Sequence, residues 1–412
     1  MIKMKFVFSK PFSYLLLTLF SSEVGSTIIT PLLPFLFFSS DVSFFDVNAS
    51  HAFRAIWYGY ASAALRIGAF LASVLLGLAM DYWGRRWVLF LSCFGLAVSM
   101  GVLALSIDQG AFLLFIGGLF FCKLLYAGKQ TAQAMVGDEK SSHSKLLRMS
   151  LLQSGIALGA CLGPFGAGFL SHAFKSFSFP FWIAAVFALF ASLVVLMGIS
   201  ETITKNVVIT RSQKKVMRQS FFKILSSRAI QRLLLQLLLS QLSWGSYYEF
   251  SPLFAKLNFD FTPEMTGFFV GMIALCLILG SALILPALST RFSTFSMKCL
   301  SAVLMLVGTF MICVTPYQSL FWLSMGFVAV GDVMIYTLIV NELSDAVPSA
   351  YQGRITGLVY VVITLSWSFT GVLGGYLTAY ANSGALWFST LGALGLSGYF
   401  LTQGILKLGS RK

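Results

Sequence analysis

The sequence predicts an all-α membrane protein of twelve transmembrane helices in two pseudo-symmetric six-helix bundles. Three observations carry that expectation. Of the 412 residues, 58% are hydrophobic and only 10% are charged, too little charge to keep a soluble domain of this size in solution. The apolar residues gather into unbroken runs of about 20, the length that crosses a bilayer as a helix. They do not alternate over about ten residues as the strands of a membrane barrel do. Finally, the runs divide six and six around the longest polar segment.

The first six spans are expected at residues 12–38, 54–80, 87–107, 111–136, 147–171 and 178–199. The second six follow at 229–257, 264–290, 295–314, 317–342, 352–380 and 384–407. Residues 1–199 thus form an N-terminal bundle and 229–412 a C-terminal one. Segment 200–228 is a Lys- and Arg-rich cytoplasmic linker with room for one amphipathic helix on the membrane surface. The N-terminus, three lysines and then an apolar run, imitates a signal peptide. The run continues to Phe38 without a small-residue cleavage site and reads as the first span.

The halves repeat one another weakly. Asp138, Arg148 and Gly163 recur as Asp345, Arg354 and Gly371, at offsets of 207, 206 and 208 residues. The segment from Ser22, SEVGSTIITPLL, can be laid on SWGSYYEFSPLF from Ser243. Repeats of this kind place a substrate site near the bilayer midplane between two bundles.

The formal charge of +14 would point to nucleic acid in a soluble protein, but in a membrane protein position decides its meaning. Segments on one side of the expected spans hold 22 Lys and Arg, against three (Arg54, Lys175 and Lys256) on the other. The positive-inside rule makes the basic side cytoplasmic, and an even number of spans puts both termini there. Basicity therefore reports orientation in a bacterial-type inner membrane. No nucleic-acid partner is expected, and the protein is expected to be a monomer. The six cysteines fall inside apolar stretches, which favours packing over disulfides.

The sharpest local signal joins the second and third spans: GLAMDYWGRRWVL, Gly77 to Leu89. An anion at the membrane edge (Asp81), a tight turn (Gly84) and two bases (Arg85, Arg86) suit a cytoplasmic gate. Asp81 would face the N-terminal end of the helix opening near Gln352 and Gly353, and the arginines would pair with Asp138 or Glu139. With Gly77, these residues resemble the loop signature of the major facilitator superfamily. In the fifth span, Gly155, Gly159, Gly163, Pro164 and Gly168 recur at helical spacing, making a smooth face with a kink. This looks like the antiporter signature of that superfamily's drug exporters, with Ala167 where glycine is usual. LSDAVPSAYQGRITG from Leu343, and Gly25, Pro31 and Pro34, are similar to the tetracycline-efflux type of drug:proton antiporter. That group's fourth-span arginine would fall near Leu119. Lys123, one turn on, stands in for it.

Six acids and bases sit well inside predicted spans, away from their ends. A charge at a helix centre costs at least about 2.5 to 3.5 kcal/mol on insertion scales, so each needs a partner or a wet cavity. Glu23, Asp332 and Glu249 are the candidates for proton coupling. Arg66, Lys123 and Lys129 come from one half and would line one wall of a cavity suited to carboxylates, with Tyr126, Trp244, Tyr247 and Tyr248 offering flat amphipathic surfaces. Static ion pairs between these acids and bases are the plainer alternative.

Enzyme chemistry has little support. His51, His143 and His172 fall in predicted loops, and neither metal-ligand spacing nor a nucleotide loop is present. No metal, cofactor or ATP-driven step is expected. The sequence is therefore read as a proton-coupled secondary transporter, with substrate, protons and the lipid bilayer as its partners. The expected direction is export of a drug or of a carboxylate-bearing metabolite such as a siderophore. Proton-symport uptake of an amino acid, nucleoside or organic acid remains open, as does a receptor without transport activity.

Overall fold

The computed structural model describes residues 10–39, 44–46, 48–137, 142–202, 226–314, 317–348 and 352–409. The described residues are helical, without strands. In chain order the helices are α1 (Lys10–Thr27), α2 (Ile29–Phe38), α3 (His51–Trp83), α4 (Arg85–Asp108), α5 (Phe112–Leu124), α6 (Gly128–Gly137), α7 (Ser142–Phe174) and α8 (Phe179–Gly198). Then come α9 (Arg228–Phe259), α10 (Pro263–Leu279), a π-turn (Gly280–Ile284), α11 (Leu285–Ser289), α12 (Thr294–Val314), α13 (Gln318–Asp345), α14 (Gln352–Tyr380) and α15 (Gly384–Gly409). Joined across their breaks, these make twelve membrane-length stretches among the described residues, at the places expected. Eleven are apolar enough to cross a membrane by composition alone. The other, α9, is long enough but polar, and it buries Gln236, Ser240, Gln241, Ser243, Ser246, Glu249 and Ser251.

Two expected spans are not continuous helices. The first breaks at Ile28, between α1 and α2, the latter holding Pro34 internally. The fourth breaks between α5 and α6, so that Leu125, Tyr126 and Ala127 leave the helical ladder. Such a break is tolerated in a membrane only where the freed backbone groups find other partners. Here the Ala127 amide donates to Ser92 Oγ of α4 at 3.3 Å, and the Ala127 carbonyl accepts from both the amide (3.0 Å) and hydroxyl (2.8 Å) of Thr131.

By contacts the chain forms two compact units. Unit 1 holds residues 1–203, 249–275 and 371–382; unit 2 holds 204–248, 276–370 and 383–412. In unit 1, α1 packs on α7 and α8, α4 on α8 and α5, and α3 on α5. Its core includes Leu15, Leu19, Cys93, Met135, Leu152, Ile156 and Val195. In unit 2, α12 is sandwiched by α13 and α15.

The glycine face of α7 explains two of the unit 1 contacts. A Cβ on Gly159 would stand 2.7 Å from Glu23 Cβ of α1, and one on Gly168 would stand 2.5 Å from the Pro263 carbonyl oxygen at the start of α10. Gly163 also abuts α1 at Val24 and Thr27, whereas Gly155 has ordinary clearance. Pro164 lies inside α7, which stays helical through it. Gly168→Val should therefore lower unfolding stability by about 1–3 kcal/mol through overpacking. Gly166→Ala, with nothing within 4 Å of its new methyl, should cost nothing measurable. Thermal unfolding of both variants in detergent micelles tests the pair.

Candidate functional site

The carboxylate of Glu23, fully buried, is the centre of a polar cluster in unit 1. Lys129 Nζ lies 2.7 Å from Glu23 Oε2, with the lysine side chain 41% exposed and the glutamate 0%. The Tyr126 hydroxyl donates to Glu23 Oε1 at 2.7 Å and stands 2.9 Å from Ser22 Oγ. Tyr126 reaches there because the α5–α6 break frees it from the helix surface. Lys123, in the last turn of α5, donates to the Ser26 carbonyl at 3.2 Å, with its ammonium 6.0 Å from the Tyr126 ring centre. It makes no ion pair among the described residues. Among the described residues, two ammonium groups thus gather about one carboxylate.

A second pair in unit 1 joins distant parts of the chain. Arg66 Nε of α3 donates to Glu249 Oε1 of α9 at 2.8 Å, with 23% and 4% of the two side chains exposed. The hydroxyl of Tyr58, also on α3, donates to the Glu249 carbonyl at 2.5 Å. Such a pair in low-dielectric surroundings is held by geometry, since desolvation offsets much of its attraction.

In unit 2 the third acid has amide company instead of a cation. Asp332 of α13 is buried and accepts from Gln241 Nε2 at 3.1 Å, and Gln241 Oε1 accepts from Trp367 Nε1 at 3.1 Å. Trp367 extends a row of rings: Tyr248 lies 5.5 Å from it, Trp244 5.6 Å from Tyr248, and Tyr247 6.0 Å from Trp244. Trp244 and Tyr247 are buried and Tyr248 is half-buried. Gln241 and Trp367 carried no signal in the sequence, since an amide and one tryptophan among many aromatics become notable only when a buried acid meets them.

Of the expected gate, Asp138 and the Asp81 side chain lie outside the described residues, and Gly77 belongs to α3. Gly84 takes φ +89°, a conformation that favours glycine, and turns the chain from α3 into α4. The amides of Arg85 and Arg86 then donate to Glu201 Oε1 (3.0 Å) and Oε2 (3.1 Å), so Glu201 caps the start of α4. The Arg85 guanidinium donates to the Ala134 carbonyl, and that of Arg86 to the Leu196 carbonyl at 2.8 Å. Sequence reasoning missed Glu201, which lies more than a hundred residues from the turn it caps. Linker residues 203–225 are also outside the described residues.

Against this geometry the known proteins can be compared. The sequence profile of the Major Facilitator Superfamily matches residues 15–371. The chain belongs to that superfamily. Its members are membrane transporters and not enzymes. Among similar proteins, the rat proton-coupled folate transporter is 33% identical over 150 residues, 34% of this chain and 32% of that protein. The Staphylococcus aureus staphyloferrin B transporter is 25% identical over 250 residues, 60% of this chain and 57% of that protein. The matches thus span from about a third to just over half of these relatives. Two solved structures share the fold: the human organic anion transporter MFSD10 (TM-score 0.67, 17% identity, 95% and 97% of the two chains) and a mutant form of the nucleoside transporter NupG (0.76, 12%, 96% and 99%).

Two outcomes are expected from the site's charges. Lys129→Met leaves a buried carboxylate without its cation and should reduce stability near neutral pH by up to about 3 kcal/mol, the low end for a buried pair because the lysine is partly exposed. The double variant Glu23→Gln with Lys129→Met should recover most of that loss in the same thermal unfolding assay. Separately, Glu201→Ala removes the α4 cap and should cost about 1 kcal/mol, read from denaturant unfolding of the purified protein.

Proposed function

We propose that the protein is a proton-coupled transporter of a carboxylate-bearing organic anion, and that Glu23 takes the proton while Lys123 and Lys129 attract the anion. The surplus of one cation around Glu23 carries this reading. When Glu23 is ionised it pairs with Lys129; when it is protonated, that attraction is lost and the summed charge of the three groups rises by one. Anion binding and protonation then favour each other, as linkage requires, so proton and anion move in the same direction. Lys123, without a carboxylate of its own, is the first contact for the substrate. The relative named for proton-coupled folate transport and the structural neighbour named for organic anions are in keeping with this chemistry. The Arg66–Glu249 pair offers a second place where a proton would weaken an ion pair.

Export by antiport is the second reading and rests on the resemblance of the α7 glycine pattern to the antiporter signature. The basic loops orient both termini toward the cytoplasm of an inner membrane in either case. Flux in proteoliposomes under an imposed pH gradient, with a panel of organic anions, separates the readings. Symport predicts accumulation on the alkaline side, antiport on the acidic side, and a receptor predicts no flux. Glu23→Gln should abolish proton-driven accumulation while leaving substrate exchange. Lys123→Gln should weaken anion binding by about 2 kcal/mol or more, and ethidium-like cations should be poor substrates. Robust efflux of such cations, undiminished in Lys123→Gln, would overturn the anion assignment.

A further inference from the structure

At one end of unit 2 a cavity of about 280 Å³ opens between the first turns of α9 and α12 and the final turns of α13 and α15. Its wall carries Arg232, Gln236, Lys298, Glu342, Tyr399 and Gln403. Lys298, near the start of α12, has only 4% of its side chain exposed. Its ammonium donates to Glu342 Oε2 at 2.6 Å and to Gln236 Oε1 at 3.2 Å. An ammonium has three donors, so one remains. Gln236 in turn donates to the Tyr399 hydroxyl at 3.5 Å, which fixes its carbonyl toward the lysine. Arg232, exposed at the rim, has no hydrogen bond or ion pair among the described residues.

These groups do not describe a plain ion pair. Glu342 balances one cation, and the second, Arg232, has five donors and no acceptor. The amide ends of α9 and α12 at this mouth are offset by the carbonyl ends of α13 and α15, so the charge of the site is set by its side chains. Gln403 and Tyr399 supply neutral partners able to hydrogen-bond an oxyanion. The end of the unit is the basic one, with Arg291 three residues before α12 and Arg228 opening α9. Basic pockets between helices on the cytoplasmic side of membrane proteins take phosphate-bearing headgroups.

We propose that this cavity binds a phosphate group, contacted by Arg232 and the remaining Lys298 donor, at a site separate from the Glu23 cluster. The phosphate belongs either to an anionic phospholipid at the membrane surface or to a soluble phosphate. Thermal unfolding of the purified full chain in neutral detergent, at constant ionic strength, tests this with three additions: phosphatidylglycerol, phosphatidylcholine and inorganic phosphate. Saturable stabilisation by phosphatidylglycerol alone identifies a lipid, and stabilisation by inorganic phosphate as well identifies a soluble ligand. Arg232→Gln should weaken the apparent affinity about tenfold, the loss of one charged hydrogen bond, whereas Arg291→Gln should not. Lys298→Met is the more direct change but removes a buried group and can fail to fold. Arg232→Gln, at an exposed position, keeps the test decisive. Absence of saturable stabilisation by either phosphate source, equal stabilisation by phosphatidylcholine, no change in Arg232→Gln, or an equal loss in Arg291→Gln would overturn the proposal.

Discussion

Inside a bilayer no water is available to satisfy a stray polar group, so each backbone amide, carbonyl and charge must find a partner within the protein. The all-helical architecture is the first consequence, and the local departures from it are the second. Where the fourth span breaks at Leu125–Ala127, Ser92 and Thr131 take up the exposed backbone groups. Where Glu23 is buried without access to water, Lys129 and Tyr126 reach it. These two repairs are linked, since the break that Ser92 supports is what delivers Tyr126 to the carboxylate. A polar residue in the apolar layer therefore shapes the backbone around it.

The same constraint sorts the embedded charges into three kinds. Glu23 and Glu249 are held by cations, Asp332 by an amide, and Lys123 by a backbone carbonyl and the Tyr126 ring. The plainer expectation of static ion pairs describes the geometry of two of the acids, and it is also the resting state that proton-linked release requires. A pair that desolvation leaves only weakly favourable is one that a proton or a competing carboxylate can open. Lys298 shows the complementary case: a base inside a helix, sharing its donors between a glutamate and a glutamine.

Superfamily membership accounts for the helices and not for the cargo. Folds of this kind host substrates as different as those named by the structural neighbours, among them a nucleoside transporter and an organic anion transporter. Cargo is decided by a few side chains on a shared scaffold. The glycine face of α7 makes the same point, because its residues serve close helix packing against α1 and α10 whatever the direction of transport.

Sequence alone determined the membrane class, the number and places of the long helices, the superfamily and the six embedded charges. All of these follow from runs of apolar residues, from local motifs or from a charge set where hydrocarbon should be, and each is written in neighbouring letters. Tertiary structure decided the partnerships. Arg66 and Glu249 are 183 residues apart, Glu23 and Tyr126 103, and Arg85 and Glu201 116. It also decided that the fourth span breaks and that Lys298 is buried, since apolar content measures how readily a segment leaves water and says nothing of which groups it meets there. Contacts between remote helices depend on how faces rotate and how closely backbones approach, and no local pattern records either.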